Sequence, residues 1–230
     1  MQEEKIPSGS DAIDHLLSGG YEKDVITVIY GPSGSGKTNI CLCAIASIAP
    51  KKKVIFMDTE GGFSITRLYQ IVGNSEKIMK NVMVLQPTNF EEQLADFERL
   101  KDLVDENIGI IIIDTISSLY RIERTEEDIK GINSSLGRML NYLSQIARKQ
   151  KIPVLITSQV YSDFENKGRI KIVGGDIVRY SGKCLIELQQ LENSRIAVLR
   201  KHRSLPEGNQ VAFEIKEKGV FLVKRRFSIF

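Results

Sequence analysis

The stretch "VITVIYGPSGSGKT", residues 25–38, places a short apolar run directly before a glycine-rich loop. Residues 31–38 match the pattern G-x-x-x-x-G-K-[ST] completely, and the helix-compatible run "NICLCAIASI" follows at once. A strand, a loop and a helix in this order bind phosphate well, because backbone N–H groups and a helix N-terminus both face the anion. The stretch therefore predicts a P-loop nucleotide site after a buried strand.

The residue types in this loop suit phosphate and metal binding. Three glycines give the backbone the freedom to wrap around an anion. Lys37 would neutralise the β- and γ-phosphate oxygens, and the hydroxyl of Thr38 would ligate Mg²⁺. The nucleotide-binding candidates of the loop are Gly31, Pro32, Ser33, Gly34, Ser35, Gly36, Lys37, Thr38 and Asn39.

Other apolar runs predict the sheet to which this strand belongs. They are "VIFMD", "VMVLQ", "IGIIIID" and "PVLITSQ", and helix-compatible stretches separate most of them. Continuous hydrophobicity indicates strands covered on both faces, which is typical of a mostly parallel sheet flanked by helices. From residue 182 the pattern alternates in "KCLIELQQ", "SRIAVLRKH", "NQVAFEI" and "GVFLVKRR", which predicts four antiparallel strands that continue the sheet.

Two longer stretches have helical spacing of their apolar residues. One covers residues 89–106, where Thr88 and Glu91 form a candidate capping box, and the other covers residues 132–151. No linker or internal repeat interrupts the pattern, so the sequence predicts one α/β domain over residues 1–230.

The composition excludes several classes of protein. With 42% hydrophobic and 27% charged residues, the chain is typical of a globular domain. No apolar run reaches the roughly 18 residues of a membrane span, and the first residues do not resemble a signal peptide, so we expect a cytoplasmic protein. Cys41, Cys43 and Cys184 lack metal-ligand spacing, and we expect them to be buried free thiols.

Two carboxylates at strand ends complete the predicted site. Asp114 ends the run "IGIIIID", where an acidic residue beside a P-loop holds Mg²⁺. Glu60 follows "VIFMDT" and is the candidate that orients or deprotonates the attacking water. Asp58 competes for that role, but it lies earlier in the strand and is the candidate for a structural role instead.

Several segments resemble the ATPase core of the RecA/RadA recombinase family, in order and over nearly the whole chain. They are "IPSGSDAIDHLLSGGYEKDVITVIYGPSGSGKT", "DTEGGFSITR", "IIIIDTISSLY", "PVLITSQV", the pair Gly174-Gly175 and "LPEG". Within that family the chain looks most like a short archaeal paralogue of RadA. The resemblance implies a RecA-like P-loop NTPase core with ATP and Mg²⁺ as cofactors, in which Lys37 and Glu60 are catalytic and Thr38 and Asp114 hold the metal.

The resemblance implies two further nucleotide contacts. Arg67 matches an arginine that packs on the adenine, and a guanidinium plane stacks well on a base. Gln159 matches a glutamine that senses the γ-phosphate and passes the signal to the second DNA-binding loop.

The triplet at residues 201–203 leaves three interpretations open. Lys201 and Arg203 stand at the spacing of a lysine pair in bacterial RecA that reaches the ATP of the neighbouring subunit. Alternate residues of a strand face one side, so we expect these two side chains to act together while His202 points away. Contact with DNA and a plain solvated surface are the alternatives.

The loops that would bind DNA are predicted from the resemblance and from charge. The last part of the chain, from residue 161, has 14 basic and eight acidic residues against a net charge of +3 for the whole chain, which permits a polyanionic partner. The first loop, residues 120–131, has mixed charge, and the second lies between residues 159 and 174. The DNA-binding candidates are Arg121 and Arg124 in the first loop and Tyr161, Lys167, Arg169 and Lys171 in the second, with Phe164 as a further stacking ring.

These observations favour an accessory protein of homologous recombination and DNA repair. The chain begins almost at the ATPase core, so we expect it to lack the N-terminal helical DNA-binding domain of full-length RadA. We expect weak ATP hydrolysis, binding of DNA with single strands favoured, contact with a RadA-type recombinase and a Holliday-junction resolvase, and an oligomeric state that stays open. The alternatives are a KaiC-like regulatory ATPase that does not bind DNA and a protein-binding scaffold in which ATP is structural.

Overall fold

The computed structural model describes residues 4–73, 75–123, 129–162, 170–191 and 194–223. The strands are β1 (Lys5–Ile6), β2 (Tyr21–Glu22), β3 (Ile26–Tyr30), β4 (Lys53–Asp58), β5 (Val82–Leu85), β6 (Ile108–Asp114), β7 (Val154–Ser158), β8 (Val160–Ser162), β9 (Ile170–Ile172), β10 (Cys184–Gln190), β11 (Arg195–Lys201), β12 (Gln210–Lys216) and β13 (Gly219–Leu222). The helices are α1 (Asp11–Leu16), α2 (Lys37–Ile48), α3 (Ile65–Val72), α4 (Glu76–Lys80), α5 (Phe90–Leu103), α6 (Ser118–Glu123), α7 (Ile129–Gln150) and α8 (Gly175–Ser181).

Within the described residues, one nine-stranded sheet has the order β13-β12-β11-β10-β3-β7-β6-β4-β5. The strands from β10 to β5 in this order pair in parallel, and β10, β11, β12 and β13 pair with one another antiparallel. The predicted mostly parallel sheet with antiparallel C-terminal strands is therefore confirmed. One detail was wrong, because β10 is parallel to β3; helix α8 precedes it and provides the crossover that parallel pairing requires.

The central strands bury both of their faces, which explains why they read as continuous apolar runs. Ile110 and Ile112 of β6 belong to the core on the side of α1 and α2, whereas Ile111 and Ile113 belong to the core on the side of α5 and α7. All four side chains are fully buried. Successive residues of a strand point to opposite faces, so a strand between two layers of helices must be apolar throughout.

The two predicted helices are present, with one correction at a helix start. Helix α5 spans Phe90–Leu103, and its N-cap is Asn89, whose side-chain oxygen accepts the Glu92 N–H at 2.8 Å. The carboxylate of Glu92 in turn accepts the N–H and the hydroxyl of Thr88. The predicted capping box of Thr88 and Glu91 was therefore wrong by one position, because Asn89 keeps extended backbone before the helix.

The prediction for the cysteines finds a structural counterpart. The three cysteines are buried free thiols, and burial raises the pKa of Cys184 to about 12. In the part of the chain that the structure describes, none of the helices has the length and apolarity needed to span a membrane.

Ser10 joins the N-terminal helix to the C-terminal edge of the sheet. It is the buried N-cap of α1, where its hydroxyl oxygen accepts the Ile13 N–H, and the same hydroxyl donates to the Val220 carbonyl at 2.8 Å. We expect Ser10→Ala to lower the free energy of unfolding by about 1–2 kcal/mol, since both a cap and a buried hydrogen bond are lost.

Urea denaturation measures this loss, with Asn89→Ala as the matched control at an exposed cap. The control should cost about 1 kcal/mol or less. A Ser10→Ala protein as stable as the wild type would show that this connection does not stabilise the fold.

Candidate nucleotide-binding site

The P-loop connects the end of β3 to the start of α2 at the edge where the parallel strands end. Gly36 is the N-cap of α2 and has a φ of 109°, in the left-handed region that favours glycine. A Cβ atom at this position would lie 3.0 Å from Ile215 Cδ1 of β12. The backbone angle and the close approach of β12 together explain why the sequence has glycine there.

Lys37 is held against its own loop. Its Nζ atom donates to the carbonyl oxygens of Gly31 and Pro32, both at 2.9 Å. Burial lowers the pKa of Lys37, and the negative charges of Asp114 and Glu60 act in the opposite direction. The Lys37 ammonium group therefore interacts electrostatically with both carboxylates.

Asp114 forms the centre of the site. This buried carboxylate accepts the Thr38 hydroxyl at 2.6 Å on Oδ2 and the Thr157 hydroxyl at 2.5 Å on Oδ1. Burial raises the pKa of Asp114, and the two hydrogen bonds oppose that shift. Thr38 and Asp114 therefore offer adjacent hydroxyl and carboxylate oxygens, the hard ligands that Mg²⁺ prefers in nucleotide sites. When bound, Mg²⁺ would neutralise charge on the phosphates there.

The structure gives Asp58 and Glu60 different surroundings. Asp58 is buried, and its carboxylate accepts the N–H groups of Gly62 at 3.0 Å and Phe63 at 2.9 Å, with the Glu60 N–H at 3.3 Å. Its oxygens thus hold the loop that follows β4. Glu60 is exposed on that loop, where it lines the cavity in front of the P-loop.

Glu60 is positioned by two side chains from neighbouring strand ends. Its Oε1 atom accepts the Gln159 side-chain amide at 2.7 Å and the Thr115 hydroxyl at 3.1 Å. The Thr59 hydroxyl also bonds the backbone of Thr115, which ties the loop after β4 to the loop after β6. A carboxylate held in this way can accept a proton from water in the cavity, which has a volume of about 460 Å³.

Arg67 is held beside Asn39, the residue that follows the P-loop. Its guanidinium donates to the side chains of Asn39 and Gln70, both at 2.8 Å, and to the carbonyls of Lys216 and Glu217 in the β12–β13 turn. These bonds use the N–H groups along the edge of the guanidinium plane and do not themselves cover its faces. Its contact with adenine stays a prediction.

The expected orientation of the cationic triplet was wrong. Strand β11 ends at Lys201, whose Nζ atom donates to the Gly182 carbonyl at 2.8 Å. Arg203 lies beyond the strand, and its Nε is 2.8 Å from the Glu22 carboxylate, while His202 Nε2 is 3.5 Å from the same carboxylate. His202 and Arg203 therefore share a partner, because strand alternation no longer applies after residue 201. The role of Lys201 and Arg203 toward a neighbour's ATP or DNA stays a prediction.

Some of the predicted DNA contacts lie together. Tyr161 and Lys171 face each other across the β8–β9 hairpin, and both line a cleft of about 620 Å³ that also includes Lys201 and Arg179. Tyr161 is 48% exposed, and it lines a second cavity together with Arg121 of α6. Arg124, Phe164, Lys167 and Arg169 lie outside the described residues.

Two residues that line the cavity in front of the P-loop, Ile215 of β12 and Arg195, were missed by the sequence reasoning. Arg195 is the charged one of the two. Arg195, the first residue of β11, lines the cavity, and its Nε atom donates to the Gly34 carbonyl at 3.4 Å. Arg195 and Gly34 are 161 positions apart in the sequence. No sequence motif marks Arg195, and only the pairing of β11 with β10 and β12, which brings its first residue to the P-loop, identifies it.

The fold and this constellation together define a P-loop nucleotide-binding protein with a RecA-like core. The sequence profile of the Rad51 family matches residues 2–222. The chain therefore belongs to the Rad51 family.

Individual relatives agree with this assignment. The chain is 40% identical to the DNA repair and recombination protein RadB of Methanobrevibacter smithii, over 94% of this chain and 95% of that protein. It is 39% identical to RadB of Methanosphaera stadtmanae, over 94% of both chains. A crystal structure of the RadB recombinase superposes with a TM-score of 0.83 at 35% identity and covers 95% of this chain and 100% of that one. The expected resemblance to a short archaeal paralogue of RadA is confirmed.

Because Asp58 and Glu60 have different surroundings, replacing each carboxylate with an amide should affect a different property. Asp58→Asn should lower stability, and Glu60→Gln should slow ATP hydrolysis. In Asp58→Asn an amide NH₂ replaces an oxygen that accepts a backbone N–H, which should cost about 1–3 kcal/mol of stability. Glu60→Gln lies at an exposed position and should change stability by less than about 0.5 kcal/mol. We expect Glu60→Gln to slow ATP hydrolysis about a hundredfold, since the amide cannot accept a proton.

The measurements are urea denaturation and phosphate release on both variants. Each variant serves as the control for the other, since both replace one carboxylate with an amide two residues apart. If Asp58→Asn were stable but did not hydrolyse ATP, and Glu60→Gln remained active, Asp58 would be the proton acceptor instead of Glu60.

Proposed function

We propose that this protein is an ATP-binding and DNA-binding accessory protein of homologous recombination. In this proposal it hydrolyses ATP weakly and assists or regulates a RadA-type recombinase. The proposal includes action on DNA, because the relatives are named for DNA repair and recombination. It also places the protein in the cytoplasm.

The main support is the arrangement around Asp114. Lys37, Thr38 and Glu60 line one cavity at the edge where the parallel strands end, and the buried Asp114 carboxylate lies behind Thr38, whose hydroxyl it accepts. Lys37 would bind phosphate oxygens, Thr38 and Asp114 would hold Mg²⁺, and Glu60 would accept a proton. Gln159 would connect this site to DNA, because its amide bonds Glu60 and β8 begins at the next residue.

Support for DNA binding comes from the cleft beside the β8–β9 hairpin. Tyr161 is exposed, and four cationic side chains line the same cleft beside three carboxylates. The cations are Lys171, Arg179, Arg200 and Lys201, and the carboxylates are Asp176, Glu187 and Glu207. Stacking rings among cations suit single-stranded nucleic acid, since bases stack on rings while the cations neutralise phosphates. Partial burial lowers the pKa of Lys201, and the neighbouring charges of Lys183 and Arg179 act in the same direction. A phosphate bound beside these cations would offset their mutual repulsion.

The proposed partners follow from the relatives and from the sequence resemblance. A protein of this family that works beside a recombinase would contact a RadA-type protein, and contact with a Holliday-junction resolvase belongs to the same proposal. Association between copies of the chain would allow Lys201 and Arg203 to reach a neighbour's ATP.

Fluorescence anisotropy of a labelled single-stranded oligonucleotide tests DNA binding, with and without ATP and Mg²⁺ at several salt concentrations. The test variant is Lys167→Ala/Arg169→Ala/Lys171→Ala. We expect salt-dependent binding by the wild type, and a salt slope reduced by about 2 in the triple variant, since each lost contact to a single strand removes about 0.7.

The control variant Lys77→Ala/Lys80→Ala/Lys149→Ala removes three exposed cations elsewhere. It has the same charge change and should retain the wild-type slope. Absence of wild-type binding even at low salt would contradict the DNA-binding proposal and favour the regulatory ATPase or the scaffold. Autophosphorylation would then support the regulatory ATPase.

A further inference from the structure

Arg195 occupies a fixed position beside the P-loop. It begins β11, where its backbone pairs with Gln190 of β10 on one side and Phe213 of β12 on the other. Both neighbouring strands also approach the loop, since Cβ atoms built on Gly34 and Gly36 would lie 3.7 Å from Gln190 Oε1 and 3.5 Å from Phe213 Cε2. Arg195 therefore projects from a strand that is paired on both sides.

The guanidinium of Arg195 has unused hydrogen-bonding capacity at the cavity. Its Nε atom donates to the Gly34 carbonyl at 3.4 Å, which is a long hydrogen bond. Among the described residues, the terminal nitrogens of Arg195 have neither a hydrogen-bond partner nor a carboxylate within ion-pair distance. Four of its five N–H donors are thus available for a ligand.

The chemistry around Arg195 indicates which ligand these donors would meet. The same cavity is lined by Lys37, Thr38, Glu60 and Gln159, the side chains that the proposed function assigns to phosphate, metal and water. The planar guanidinium matches the geometry of phosphate oxygens and can donate two parallel hydrogen bonds to them. Lys37 already has two partners in the loop carbonyls, so Arg195 adds a second cation with free donors.

We propose that Arg195 is a nucleotide-binding residue that contacts the polyphosphate of ATP bound to its own chain. The inference rests on the proposed function, because it presumes that the P-loop binds a nucleoside triphosphate. It differs from the predicted roles of Lys201 and Arg203, which concern a neighbour's ATP or DNA. Lys201 lies at the far end of the same strand, roughly 20 Å away at 3.3 Å per residue.

Arg195 belongs to the same chain as the P-loop, so its contact with ATP would not depend on assembly. With Arg195 in the phosphate site, a monomer would bind nucleotide without a positive charge from a neighbouring subunit. Arg195 then acts on affinity and needs no contact between subunits.

Equilibrium titration with a fluorescent ATP analogue and its diphosphate, in the presence of Mg²⁺, tests the assignment without measuring hydrolysis. Arg195→Gln keeps a side chain that can donate to Gly34 and removes the charge, whereas Arg195→Lys keeps the charge. We expect Arg195→Gln to weaken triphosphate binding about tenfold, with a smaller loss for the diphosphate, and Arg195→Lys to retain most of the affinity.

Arg148→Gln is the matched control, because it removes an exposed arginine from the last turn of α7. It should bind both nucleotides like the wild type. Urea denaturation on all variants shows that each is folded at the titration temperature.

Two results would overturn the assignment, and they can be told apart. If wild type binds the triphosphate, Lys37→Ala abolishes that binding and Arg195→Gln leaves it within about twofold, the nucleotide site stands and Arg195 is not part of it. If the wild type does not bind the triphosphate, the proposed function fails and the role of Arg195 fails with it.

Discussion

The hydrogen bonds of the Asp114 carboxylate connect the elements on which the site depends. Asp114 ends a strand buried on both faces, and it binds Thr38 at the start of α2 and Thr157 near the end of β7. A buried carboxylate without hydrogen-bond partners would destabilise the fold by several kcal/mol. The two hydroxyls must therefore stay within hydrogen-bond distance of Asp114. The position of the P-loop helix relative to the sheet follows from this constraint.

The sheet order explains why the other polar side chains lie near this centre. Strands β3, β7, β6 and β4 are parallel neighbours, so the residues that follow them converge on one edge. The P-loop follows β3, Gln159 follows β7, Thr115 follows β6 and Glu60 follows β4. The hydrogen bonds of Glu60 to Gln159 and Thr115 are a direct result of this order.

The features that sequence could predict are those set by local patterns. The P-loop motif and the apolar runs predicted the central strands and the position of Asp114 correctly, because strand, turn and helix signals act over a few residues. The proximity of Arg195 to Gly34 could not be predicted, because the two residues are 161 positions apart in the sequence. It depends on how β11 pairs within the antiparallel part of the sheet. The predicted orientation of Arg203 was wrong for a related reason. Side chains alternate between the two faces of a strand only as far as its last paired residue, and β11 ends at Lys201.

The proposed function requires that Asp114 and Thr38 form a Mg²⁺-dependent nucleotide site. The most direct measurement compares the affinity for a fluorescent ATP analogue with Mg²⁺ and with EDTA, on the wild type and on Asp114→Asn. We predict that Mg²⁺ tightens binding to the wild type and that Asp114→Asn loses this gain while it keeps the metal-free affinity. An equal gain from Mg²⁺ in both proteins, or no gain in the wild type, would contradict the claim.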